Sequence, residues 1–338
     1  MTKFLTLLLL QAVTASGGNP FAFLQPAATI TTQERAQLDQ GDSIAHVLPA
    51  NGHEVGVLAA VGVKIDGDRL IAWMRRIELL KKSSYVLAIG RFSNPPRIED
   101  LAGLELDDGD LMAIRVCRPG SCKLKLSADE MATLHQAAEQ AAGDWRPAVQ
   151  AAFLGVVLAR VKLYLENGQT PPYADHRSDV SPGSSFNSLL EHSGFLTKNA
   201  PQLAEYLKNY PATPAPEIES FVYWSQERPA HKPIISVTHV SMIRGRSPEL
   251  PDVLVVGKDI YSSHYINGSL SVTSLVRGSG QSNYLVYMNR TELDILHGLF
   301  AGIIRKALQG RLRSSSAGIL QGLRRRLESG PPQPQKNP

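Results

Sequence analysis

The chain has 338 residues, 43% of them apolar, 20% charged and 7% aromatic, with a formal net charge of +4. That balance is globular and excludes the disordered, collagenous and disulfide-dense classes. The length suits two units, or one unit with a large insertion.

Lys3 precedes an apolar run from Phe4 to Leu10 that continues through Ala12 and Val13, and the small residues Ala15, Ser16, Gly17 and Gly18 follow. This is the form of a secretory signal peptide, predicted over 1–15 with cleavage near Ala15; an N-terminal core helix is the bland alternative. The run is too short to cross a bilayer, which takes about 20 apolar residues, and nothing further along is expected to reach that length. No Cys stands at the cut to carry a lipid. The expected location is periplasmic or secreted.

A Val-rich run over 54–64 has strand character. Helical spacing follows over 66–82, with Leu70, Trp73, Met74, Ile77 and Leu80 on one stripe and Arg75, Arg76, Lys81 and Lys82 outside it. Residues 85–92 return to a β-rich run, which Asn94-Pro95-Pro96 stops. Between Ile98 and Asp110 stand six carboxylates, Glu99, Asp100, Glu105, Asp107, Asp108 and Asp110. They lack the spacing of a calcium loop, so a solvated acidic turn is expected. The two cysteines, Cys117 and Cys122, flank Arg-Pro-Gly-Ser. In an oxidising compartment they are expected to pair, with Pro119 and Gly120 at the centre of a type II turn. A redox-active dithiol is the alternative, and the spacing does not suit it.

Ser127 with Glu130 reads as a capping box, and helical patterning then runs, interrupted at Pro147, to Asn167, where Gly168 caps it. Residues 169–216 are loop-rich with short helical pieces near 186–190 and 203–206. The segment 127–217 therefore reads as a mostly helical insertion, either a lid over a cavity or a packing layer. β-rich runs follow at 221–224, 233–244, 253–266, 269–276 and 283–288, with Asn267-Gly268 as a hairpin turn. The sheet is predicted to be antiparallel, and no Gly-rich phosphate loop argues otherwise. A long last helix is predicted to start from a cap at Asn289 with Glu292 completing the box. Its apolar face is Leu293, Leu296, Phe300, Ile303, Ile304, Ala307 and Leu308. Gly298 and Gly302 within it point to a closely approaching backbone or ligand. Ser314 to Ser316 are predicted to break the helix before Ile319, Leu320, Leu323 and Leu327 resume it, and the Pro- and Gln-rich tail over 329–338 is expected to be disordered.

This order of elements, with the phrases Lys-Pro-Ile-Ile-Ser-Val-Thr-His over 232–239 and Tyr-Leu-Val-Tyr-Met-Asn-Arg over 284–290, resembles the START-like and polyketide cyclase-like helix-grip superfamily. The segments 54–92 and 233–312 look like the two ends of such a domain. It implies an α+β fold in which a curved antiparallel sheet grips the long C-terminal helix and leaves a cavity for a lipid or other hydrophobic small molecule. On this reading, 16–126 and 218–328 form the helix-grip domain around the helical insertion.

His239, Tyr261, Tyr265 and Tyr287 are the candidate ligand-binding residues. Alternation places Tyr261, Ser263 and Tyr265 on one face of their run, and aromatic bodies with hydroxyl tips suit an apolar ligand with a polar head; the same tyrosines also fit as ordinary strand residues. None of the nine histidines pair at the i, i+4 spacing of a zinc site, so no metal or other cofactor is expected. No nucleophile elbow is present and no catalytic residue is nominated. Asp175-His176 reads as a solvated loop. Residues 290–338 hold nine Lys and Arg against three carboxylates. Arg324, Arg325 and Arg326, behind Arg305, Lys306, Arg311 and Arg313, are the candidate contact with anionic phospholipid, or else a solvated helix end. Export argues against nucleic acid as a partner. Asn267-Gly-Ser and Asn289-Arg-Thr match the glycosylation pattern. The expected function is an exported carrier or binding protein for a lipid-like molecule. A cyclase- or hydrolase-like enzyme in the same cavity and a non-catalytic envelope docking protein are the alternatives.

Overall fold

The computed structural model describes residues 19–176, 178–228, 231–246, 250–278, 282–296 and 301–330. The predicted signal peptide and residues 331–338 of the tail lie outside them. Eight strands form one antiparallel sheet: β1 (Ser43–Val47), β2 (Glu54–Val63), β3 (Val86–Arg91), β4 (Glu219–Glu227), β5 (Ile234–Arg244), β6 (Val253–Ser262), β7 (Ile266–Val276) and β8 (Asn283–Leu293). Their order is β1-β2-β8-β7-β6-β5-β4-β3. The chain lays down one edge, crosses to the other, and returns strand by strand until β8 meets β2 with Tyr287 opposite Ala59. β2 is buried along its whole length. A strand covered on both faces loses polar alternation and reads as the continuous apolar run seen here.

The fold is α+β, with helices on both faces of the sheet. One face carries α2 (Gly67–Met74), α3 (Ile77–Leu80) and α10 (Ala301–Ser329). The predicted stripe of Leu70, Trp73, Met74, Ile77 and Leu80 is buried there, against Val61, Val63, Val253, Val255, Leu275 and Leu285 and beside Leu320 and Leu327 of α10. The opposite face is covered in two halves. α1 (Thr32–Asp39), α7 (Pro182–Glu191), α8 (Gly194–Asn199) and α9 (Pro201–Asn209) share one core cluster. α4 (Asp108–Ile114), α5 (Ala128–Gln140) and α6 (Arg146–Asn167) share the other. All of α4 to α9 arise between β3 and β4. The capping box of Ser127 and Glu130 is formed at the start of α5, and Gly168 ends α6 at φ +74°.

Among the described residues α6 is the one helix long and apolar enough to cross a membrane, although no such length was expected beyond the N-terminus. In this fold it is a core helix. Val149, Phe153, Val157, Val161 and Tyr164 are fully buried, and Arg160 on the same side pairs with Glu130 at 2.5 Å.

Three local expectations are corrected. The β6–β7 turn falls at Ser263-His264-Tyr265, with Tyr265 at φ +59°, and Asn267-Gly268 lies inside β7 at a register irregularity. Asn267 is held there by buried partners, accepting from Lys125 at 2.8 Å and donating to Glu292 at 3.1 Å. Secondly, Asn289 and Glu292 belong to β8, where Asn289 donates to Ser269; pairing with β2 and β7 outweighs the capping-box pattern. Gly298 and Phe300 lie outside the described residues. Finally, α10 passes unbroken through Ser314 to Ser316. The hydroxyls of Ser314 and Ser316 donate back to the carbonyls of Arg311 and Leu312, which satisfies them without interrupting the helix.

Candidate binding groove

The α10 side of the sheet changes character along its strands. At one end it is apolar and sealed by α2, α3 and the end of α10. Towards the other end the same face presents Tyr223, Ser225 and Glu227 on β4, Thr238 on β5, Asp259 on β6, Ser271 and Thr273 on β7, and Tyr287 and Asn289 on β8, all on one face by strand register. α10 packs on β1 and β2, while α2 and α3 pack on β6 and β3; among the described residues no helix packs closely across the polar region between them. Asp259, Ser271, Thr273, Tyr287 and Asn289 are accordingly only half-buried, although they stand on central strands. We call this half-buried polar strip on the sheet, flanked by α10 and α3, the groove.

Lys81, just past α3, forms one wall. Its ammonium donates to Glu227 at 2.5 Å and to the Tyr223 hydroxyl at 3.1 Å, and Ser225 donates to the same Glu227 oxygen. Burial opposes the charge on Lys81, but the charges and hydrogen bonds of Tyr223 and Glu227 outweigh it and raise its pKa well above the usual lysine value. Asp259 accepts from Thr238 at 2.7 Å, yet burial dominates and pushes its carboxyl up to about 6. Burial likewise raises the Tyr287 hydroxyl. The second Asp259 oxygen and the Tyr287 hydroxyl have no hydrogen-bond partner among the described residues. A Cβ at Gly257 would come to 2.5 Å from the Ser271 hydroxyl, which would have to turn away.

The four residues nominated from sequence are not brought together. Tyr287 alone faces the groove. His239 points to the opposite face, its Nδ1 2.8 Å from the Tyr164 hydroxyl and its ring 4.5 Å from that of Tyr210. Burial and the neighbouring Lys258 hold His239 down at about 3. Lys258 lies opposite it on β6, donates to the Leu207 carbonyl at 2.9 Å, and sits over the rings of Tyr164 and Phe186. With no carboxylate partner among the described residues, burial lowers it to about 8. Tyr261 also lies in the core of the opposite face, stacked under the Arg160 guanidinium. Tyr265 is on the turn and exposed. Asp259, Lys81 and Glu227 were missed; the signal for Asp259 was a charged pair, Lys258-Asp259, interrupting an apolar strand.

Cys117 and Cys122 are at disulfide distance, with sulfurs 2.00 Å apart, around a turn in which Gly120 takes φ +82°. The pair is compatible with an extracellular location. The arginine triplet does not form one patch. Arg324 donates to the Gly41 carbonyl and pairs with Glu328, Arg326 donates to the Leu80 carbonyl, and Arg325 alone is exposed. Asp175 is not a solvated loop residue: it is buried and, with Asp294, pairs with the buried Lys125 at 3.2 and 3.0 Å. His176 lies 3.6 Å from both carboxylates. These three are the metal-ligand grouping among the described residues, and the Lys125 ammonium already neutralises its carboxylates.

No protein-family model and no curated protein matches the chain. A solved structure, that of TTHA0849 from Thermus thermophilus, aligns at 14% identity over 44% of this chain and 90% of its own, with a TM-score of 0.25.

Proposed function

We propose that this chain is an exported, helix-grip-like binding protein whose ligand lies in the groove between α10 and α3. The observation that carries the reading is the half-buried polar strip on central strands of a sheet that is otherwise covered on both faces; a few polar groups set in apolar surroundings are what orient a bound ligand. The strand order supports it. The last strand, β8, closes onto the early β2 in an antiparallel sheet, and a long C-terminal helix follows and packs on that sheet, the arrangement the START-like resemblance implies. The chemistry of the floor favours an amphipathic ligand. Asp259 and Tyr287 offer unpartnered tips to a hydrogen-bonding head, and Val55, Val57 and Ala59 on the same face of β2 offer an apolar flank.

The test is native mass spectrometry of the protein isolated from its own host, with organic extraction of whatever accompanies it. A stoichiometric adduct that is lost in Asp259→Asn and Tyr287→Phe supports the groove. A clean apo mass under gentle conditions, or an adduct indifferent to both changes, overturns it. One observation favours a second reading: a carboxyl at about 6 in a groove is suited to general acid-base catalysis. A turnover rate with an ionisation near that pH, abolished in Asp259→Asn, would establish the enzyme.

A further inference from the structure

Two of the three C-terminal arginines are committed to internal acceptors, and a different corner of the fold combines surface cations with apolar tips. Val116, just beyond α4, is 76% exposed, and Met112 one turn earlier is 50% exposed. Between them Arg115 lays its guanidinium 5.0 Å from the Trp145 ring, and Arg146 stacks on the same ring at 5.3 Å. Arg146 is paired with Asp144. No carboxylate occurs between Asp110 and Asp129, whereas Arg115, Arg118 and Lys123 are exposed and form no ion pair with a described residue.

The corner is also rigid. Arg118 and Ser121 exchange backbone hydrogen bonds inside the disulfide loop, and the amides of Gly120 and Cys122 donate to the carbonyls of Ala174 and Asp175, tying the turn to the body. A preformed surface loses little ordering entropy on contact.

We infer that this corner, made by the end of α4, the disulfide turn and Trp145, is a contact surface for the anionic face of a lipid bilayer. Val116 and Met112 enter the boundary between head groups and acyl chains, Trp145 takes the interfacial level that indoles favour, and the cations meet lipid phosphates. Tryptophan and arginine also mark protein interfaces. The carboxylate-free stretch and the projection of two apolar tips, Val116 and Met112, in place of a flat apolar centre, favour lipid.

The test uses the protein as isolated from cells, its N-terminus checked by intact mass, with phosphatidylcholine vesicles prepared with and without phosphatidylglycerol. Binding is expected only with phosphatidylglycerol and is expected to weaken with salt. A blue shift of tryptophan emission should accompany it, reporting Trp145 because Trp73 and Trp224 are already buried. The double variant R115E/R118E should lower partitioning by about tenfold or more with unchanged melting, Val116→Ser should diminish the blue shift, and K306Q/R311Q/R313Q on α10 should bind as the parent does. Equal binding to phosphatidylcholine alone, binding undiminished in R115E/R118E, or loss confined to the α10 variant each overturns the assignment. Absence of vesicle binding overturns it too and leaves the corner to a protein partner.

Discussion

Asp259 and Lys258 are neighbours in β6, so strand alternation sends them to opposite faces, and burial shifts each towards its neutral form. For Asp259, raised from 3.8 to about 6, the folded state holds the proton more tightly than the unfolded chain. Stability therefore falls as pH rises from about 4 through about 6. Asp259→Asn should remove that slope and stabilise the fold at neutral pH by about 1–3 kcal/mol, nearer the lower figure because the groove admits water; urea unfolding across this pH range reads both effects. Lys258 works with the opposite sign. Its folded value of about 8 against 10.5 means that stability rises as pH climbs from about 8 to about 10.5. Lys258→Met should lack this alkaline rise, and a variant that keeps it would place the titration elsewhere. The face that Tyr287 takes was legible because β8 alternates without interruption. Those of Tyr261 and Tyr265 were not, because a bulge and a turn displace each from the pattern. Asp259 was visible as a charge in an apolar run, but its hollow is made by elements far along the chain.

At the scale of elements, local signals held where the deciding atoms are close in sequence. Ser127 and Glu130 need only each other to cap α5, and the stripe over α2 and α3 needs only an apolar surface. Asn289 carried an equally good helix signal and still became strand, because β2 and β7 supply partners that no local window contains. Gly168 shows a local signal with a distant constraint. Its positive φ caps α6, and a Cβ there would fall 1.9 Å from the Tyr210 carbonyl oxygen, so Gly168→Ala should destabilise by about 2 kcal/mol or more, by backbone strain and forced displacement of the α9 exit. Thermal unfolding measures this, and a loss under about 0.5 kcal/mol, ordinary for a harmless surface change, would contradict it. The disulfide closes a loop of separation five, so Cys117→Ser with Cys122→Ser should cost about 2 kcal/mol and leave the rest of the fold intact by circular dichroism.

For the whole molecule, the α+β class and the antiparallel sheet were readable from run lengths and turn residues. The order of the strands was not, since it depends on β2 finding β8 across most of the chain, and contacts of such separation leave no periodic trace. One expectation follows from that pairing. A chain ending before β8 leaves the wholly buried, largely apolar β2 with a bare edge, and it should be recovered as aggregate where the full chain is soluble, a difference that fractionation by centrifugation measures.

The same β2–β8 pairing also sets when the chain can become a finished solid. Its earliest long strand cannot be fully satisfied until β8 has been synthesised, so the nascent polypeptide has no finished tertiary structure. A topology that sews an early strand to a late one keeps the chain pliable until its last strand has been made, and only then becomes a stable solid.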